Sequence, residues 1–298
     1  MAGFFAPKDW GRLLTAMVTP FRADGTVNLG EAKRIARFLV EVQKNDGLVV
    51  SGTTGESPTL SREEKLGLLE AVLEEVDDRA AVVFGAGSYN TAESIEMAQE
   101  AERRGAHGVM LVNPYYNKPG QRGLEAHFRA VAASTGLPVM LYNIQGRTSI
   151  NLETPTLLRL TQVQNIVAVK EASGNVPQIS DVCGAVPEGF RVYSGDDGLT
   201  LPILSLGGYG VVSVAGHVVG SAIQEMIAAF VPKPADATAI HHRLMPVVKA
   251  LFHAPSPVPV KYALSRFGFD CRSVRLPLVE LTEEEKAVVD AAIRPWLP

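Results

Sequence analysis

Cysteine is nearly absent: the 298-residue chain has only Cys183 and Cys271, far apart and outside any CxxC or Cys/His spacing. That excludes a disulfide framework and a structural zinc site and fits a reducing compartment. Long apolar runs are missing as well. No stretch approaches the ~20 residues needed to cross a bilayer, and the N-terminal MAGFFAPKDWGRLLTAMVTPF lacks the basic lead and apolar stretch of a secretion leader. A soluble, cytoplasmic protein is expected. Neither sign of charge is in excess, since 28 Lys and Arg against 32 Asp and Glu leave a formal net charge of −4. Nucleic acid and anionic membranes are therefore not expected partners. There is no GxGxxG after the first apolar run and no GxxxxGK[ST] anywhere, which argues against a nucleotide phosphate.

What is present is a rhythm. Short apolar runs recur at 13–18, 47–50, 81–84, 108–112, 138–142, 166–170, 190–193 and 210–214. Each is apolar throughout rather than alternating, as parallel strands covered on both faces are. Helix signals fill the gaps: Ser61 with Glu64 reads as a capping box, Asn90 or Thr91 caps the stretch to Arg104, and Gly105, Gly136 and Gly189 sit ahead of strands. Eight strand–helix units of about 27 residues predict a (β/α)₈ TIM barrel over residues 1–231, with a doubly wound open sheet as the structural alternative. Residues 232–298 show no further strand. Helices are expected over 236–253 and 258–267 and from Thr282, capped with Glu285, as an appendage packed on the barrel.

In such a barrel the chemistry collects where strands end. Lys170 closes the run Ile166 to Val169, where a solvated lysine is out of place. Two readings are open. One is a rim lysine paired with Glu171 or Glu56. The other is an amine nucleophile: a free lysine titrates at about 10.4, burial lowers this, and an uncharged amine attacks carbonyls to form a Schiff base. Tyr142 ends the neighbouring run and is either a core residue or a proton shuttle beside that lysine. Gly52-Thr53-Thr54-Gly55-Glu56 is either a helix-entry turn or a small-carboxylate cradle. Asp196-Asp197 reads as helix capping rather than a metal pair, and adjacent His241 and His242 read as surface residues; no metal is expected.

Taken together, GTTGE at 52–56, NPYYNKP at 113–119, YN at 142–143, VKEASGN at 169–175 and SGDD at 194–197 resemble the pyruvate-dependent class I aldolase family of N-acetylneuraminate lyase and dihydrodipicolinate synthase. The resemblance covers nearly the whole chain. It implies Lys170 as the Schiff-base lysine for pyruvate, Tyr142 as proton donor and acceptor, and Thr53 and Tyr116 completing a relay. Tyr116 would reach across a subunit interface, which implies a homotetramer built as a dimer of dimers. Thr54 would hold the pyruvate carboxylate and Val212 would contact pyruvate through its backbone. Arg147 looks like the carboxylate clamp for L-aspartate 4-semialdehyde. Gln145 stands where similar synthases mostly carry proline, which predicts a looser loop around Arg147. The implied reaction, condensation of the two substrates to 4-hydroxy-tetrahydrodipicolinate for lysine and diaminopimelate synthesis, needs no cofactor. Alternatives are a lyase or dehydratase acting on a 2-keto-3-deoxy sugar acid, and a ligand-binding barrel without turnover. Glu93 and Tyr115 match a lysine feedback site of some relatives while Tyr89, Arg62 and Lys65 differ, so weak or no inhibition by lysine is expected.

Overall fold

The computed structural model describes residues 9–298. The leader reading, for residues 1–8, and the start of the 1–231 segment lie outside the described residues. Eight parallel strands close into a barrel in chain order: β1 (Leu13–Ala16), β2 (Gly47–Val50), β3 (Ala81–Gly85), β4 (Gly108–Val112), β5 (Val139–Asn143), β6 (Ile166–Glu171), β7 (Arg191–Ser194) and β8 (Gly210–Ser213). Closure is made by β1 pairing β8, with Leu14 opposite Val212. The expected TIM barrel is therefore present, and the open sheet is not.

Around the strands run α1 (Leu29–Glu41), α2 (Arg62–Val76), α3 (Thr91–Arg103), α4 (Gln121–Ala132), the short α5 (Gln145–Thr148), α6 (Thr154–Leu160), α7 (Val176–Ala185), α8 (Thr200–Ser205) and α9 (Gly216–Ala229). Their starts follow the local chemistry. Ser61 and Glu64 form the reciprocal box at α2, and the Asn90 side chain accepts from Ala92 N at α3. The last three helices, α10 (Pro234–Leu251), α11 (Val258–Arg266) and α12 (Glu283–Ile293), follow the barrel, and a second capping box opens α12 at Thr282. Leu244, Val247, Leu251, Val260 and Leu264 share one apolar core with barrel residues such as Leu13 and Val211.

Two apolar layers explain the unbroken hydrophobic runs. On β5, Val139 and Leu141 face the helices while Met140 and Tyr142 face the barrel interior. On β6, Ile166 and Val169 face out and Ala168 faces in. The register between β5 and β6 shifts, so that Val139 is opposite Ile166 but Met140 is opposite Ala168. That extra residue, Val167, sets which face the end of β6 presents. Lys170 thereby lies opposite Tyr142 on one side and Tyr193 on the other.

Strand ends differ from the sequence expectation for identifiable reasons. β1 stops at Ala16 instead of Val18 because Val18 N is taken by a ring nitrogen of His217 at 3.1 Å. β5 and β6 each run one residue further, and the added Asn143 and Glu171 pair in register.

At the opposite end of the barrel β8 passes close to the chain before β1. A Cβ on Gly210 would overlap the backbone carbonyl of Arg12, which accepts from Val211 N at 2.8 Å. Gly210→Ala is therefore expected to destabilise the chain by about 1–3 kcal/mol or more. Chemical denaturation checks it, and an unchanged midpoint would show that this seam has slack.

Candidate active site

At the C-terminal mouth of the barrel lies a cavity of about 200 Å³. It suits a small organic acid better than a nucleotide. Thr53, Tyr115, Tyr142, Arg147 and Thr148 line it, and Met110, Val112 and Ile144 supply apolar wall.

Lys170 lies just behind this lining, 4% exposed, with Nζ 4.2 Å from the centroid of the Tyr142 ring. Neither carboxylate weighed as its partner is available. Glu56 is bonded to Lys261 at 2.6 Å. Glu171 accepts from Ser173 N at 2.7 Å and from Asn143 Nδ2 at 3.1 Å. The rim ion pair is thus ruled out, and among the described residues Lys170 has no ion-pair partner. Burial pushes its amine down to about 7, with Asp197 pulling the other way and the Arg147 guanidinium adding to the depression. At neutral pH a large share of the amine is uncharged.

Tyr142 moves in the opposite direction. Burial raises its phenol to about 12, opposed by the Arg147 charge and the Thr53 side chain. It stays protonated across the neutral range, 3% exposed at the end of β5.

The other sequence-derived residues are placed unequally. Thr53 and Arg147 reach the cavity wall; Thr54 is buried outside the lining, and Val212 is buried on β8 in the inner apolar layer. Tyr116 stands outside the cavity of its own chain: it is 89% exposed with φ +66°, while Tyr115 supplies the ring on the wall. A left-handed non-glycine residue persists only where its surroundings hold it.

Gln145 is the first residue of the short α5 that carries Arg147. Residues 145–148 form one helical turn, in which Thr148 N donates to Ile144 O at 3.0 Å and Ser149 N to Gln145 O at 2.8 Å. Below it, Asn143 accepts from Asn113 Nδ2 and from Leu152 N, both at 2.9 Å, and donates to Asn151. Buried Asn143 therefore ties the far end of the loop back to β5.

Asp197 corrects the capping reading. Only Asp196 caps, accepting from Gly198 N at 2.8 Å. Asp197 is buried and accepts from Ser213 Oγ, from Val214 N at 2.9 Å and from Ala215 N at 3.1 Å, fixing the end of β8 near Lys170. Burial raises its carboxyl while these donors hold it down. The two histidines sit half-buried and exposed on α10, with ring centroids 5.6 Å apart. Among the described residues no three His, Cys, Asp or Glu gather as a metal set, and no helix is long and apolar enough to cross a membrane. Tyr89 packs edge-on to Tyr115 at 5.2 Å, Glu93 accepts from Ser88, and Arg62 turns to Glu100.

These features define a (β/α)₈ barrel with a desolvated lysine and a protonated tyrosine at its C-terminal mouth. The profile of the Dihydrodipicolinate synthetase family matches residues 9–295. A 4-hydroxy-tetrahydrodipicolinate synthase of Moorella thermoacetica is 53% identical over 96% of this chain and 98% of that protein. The crystal structure of a dihydrodipicolinate synthase from Bacillus anthracis superposes with a TM-score of 0.94 at 47% identity, covering 96% of this chain and 98% of that one. One from Cyanidioschyzon merolae with lysine bound gives 0.94 at 45%, covering 96% and 97%. The chain belongs to the dihydrodipicolinate synthetase family.

The depressed amine makes a stability prediction. An unfolded lysine titrates near 10.5 and this folded one near 7, so between those values the unfolded chain binds more protons and stability rises with pH. The cost, about 4–5 kcal/mol at 1.36 kcal/mol per unit, is fully present below pH 7 and fades toward pH 10.5. Lys170→Met removes it. Its stability advantage over the parent is expected to shrink by roughly 2–3 kcal/mol between pH 6 and pH 9 in urea denaturation. A constant difference would place the folded-state amine at its ordinary value.

Proposed function

We propose that the chain condenses pyruvate with L-aspartate 4-semialdehyde to give 4-hydroxy-tetrahydrodipicolinate, by Schiff-base catalysis on Lys170. The observation that carries this reading is the placement of the Lys170 amine: buried, without a carboxylate partner among the described residues, and beside the Tyr142 ring, where burial lowers it to about 7. Its Nζ attacks the keto carbon of pyruvate, the carbinolamine loses water, and the imine draws electrons so that a methyl proton can leave. The resulting enamine carbon attacks the aldehyde. The amino group brought in by the semialdehyde then attacks the imine carbon and displaces Nζ, which closes the ring and returns the amine. One water is lost overall, the lysine itself is the electrophilic catalyst and no cofactor is required.

Tyr142 supplies and takes back the proton on the carbinolamine oxygen, a task suited to a phenol that stays protonated until another group draws on it. Thr53 links it to the cavity wall. Thr54 and the backbone N–H groups of the GTTGE turn hold the pyruvate carboxylate, with the Val212 backbone behind it. Arg147, exposed at the wall and free of any ion pair among the described residues, clamps the carboxylate of the semialdehyde through paired N–H donors. That guanidinium favours the semialdehyde over a 2-keto-3-deoxy sugar acid.

Tyr116 completes the relay in a neighbouring subunit, which accounts for an exposed tyrosine in a strained conformation on a loop beside the mouth. The assembly is a homotetramer, a dimer of dimers. Residues 1–231 form the catalytic barrel and 232–298 the helical segment on it. The free thiols Cys183 and Cys271 fit the cytoplasm. Nothing in the near-neutral charge balance calls for nucleic acid, and inhibition by lysine is weak or absent.

Borohydride reduction in the presence of pyruvate is the test. A covalent adduct is expected on Lys170 by peptide mass mapping. Arg147→Ala is expected to keep the adduct while losing about a hundredfold or more of its turnover with the semialdehyde. No adduct, or parental turnover without the guanidinium, would contradict the assignment.

A further inference from the structure

The GTTGE turn is bounded by two left-handed non-glycine residues, Ser51 at φ +58° and Glu56 at φ +56°. Such a turn keeps its shape only if the surrounding structure over-determines it. The constraint converges on Glu56, whose side chain is buried. Its Oε1 accepts from Lys261 Nζ at 2.6 Å and its Oε2 from Arg275 N at 3.1 Å. Lys261 Nζ also donates to Thr19 O at 2.8 Å and stands 4.4 Å from the Phe21 ring centroid. Thr19 Oγ1 returns to the turn, donating to Gly55 O at 2.7 Å. The backbone of Glu56 donates to Thr53 O at 3.1 Å. One unbroken set of bonds thus runs from α11 and the segment before α12, through Glu56, to the peptide of Thr53.

A buried ion pair contributes little net stability compared with an apolar pair of the same volume, so stability alone is a weak reason for this one. Fixing geometry is a better one. Resting on the function proposed above, we propose that Glu56 and Lys261 are positioning residues: the helical segment after the barrel holds the GTTGE turn, and through it Thr53 and Thr54, in the shape that receives the keto acid. Lys261 has no solvent exposure, and its Nζ is committed to Glu56 and Thr19 O. Arg275 steadies the same corner, its guanidinium bonded to Thr59 O, Gly25 O and Glu64.

The test compares the parent with Glu56→Gln, Lys261→Met and the apolar pair Glu56→Leu/Lys261→Met, all as the full chain. Steady-state kinetics with pyruvate and aspartate semialdehyde are read alongside the rate of borohydride trapping at sub-saturating pyruvate. In each variant that folds, the pyruvate KM is expected to rise about tenfold or more and trapping to slow. The semialdehyde KM is expected to stay within about twofold, because Arg147 rides on α5 and is held by the separate Asn143 network. The apolar pair leaves no buried charge unpaired, so it keeps the test open if a single variant does not fold. A merely structural role would lower the melting temperature and leave pyruvate KM and kcat at parental values, and that result overturns the proposal. A parent that traps no pyruvate defeats the function itself; a parent that traps while the variants match it defeats only the positioning role.

Discussion

Removing water from one amine is the constraint on which the rest of the site depends. Lys170 sits at the end of a strand whose two faces are both covered, so its ammonium would lose solvation with no carboxylate among the described residues bonded to it in return. The consequence is an amine that gives up its proton near neutrality. The cost is a large fraction of the roughly 5–15 kcal/mol by which a folded domain is stable. The two apolar layers of the barrel offset it, and they also ensure that the amine cannot escape to solvent.

The neighbouring buried charges show how deliberate that exception is. Asp197 has three donors, Glu171 has Asn143 and Ser173, and Glu56 has Lys261 and a backbone N–H. Each of these three carboxylates is committed to other partners. Asp197 is near enough to raise the amine's affinity for protons, yet its oxygens are committed to the end of β8. Arg147 adds positive charge at the mouth, and this both favours the neutral amine and lowers the phenol of Tyr142 from the value burial alone would set. One guanidinium therefore acts on both groups.

Much of this was legible along the chain because it is written locally. A run such as Ile166 to Val169 ending in lysine carries both the strand and the anomaly, and the capping boxes at Ser61 and Thr282 carry their own helix starts. What could not be read depends on partners far away. The extra residue Val167 shows only once β6 is laid against β5. Asp197 looks like a cap because its donors come from residues 213–215. Glu56 and Lys261 are 205 positions apart, and neither belongs to a local pattern that signals the other. Tyr116 was picked out by its motif, but a single chain leaves it in solvent.

The central claim is the charge state of one nitrogen, and it can be observed without any substrate. Lysine selectively labelled at Cε and Nζ gives resonances whose shifts report ionisation, and the signal of position 170 is identified by its loss in Lys170→Met. A midpoint near 7 is expected for that signal while the surface lysines titrate near their ordinary value of about 10.4. A midpoint near 10 for Lys170 would contradict the account, because the amine would then be charged and solvated at the pH where the site has to work.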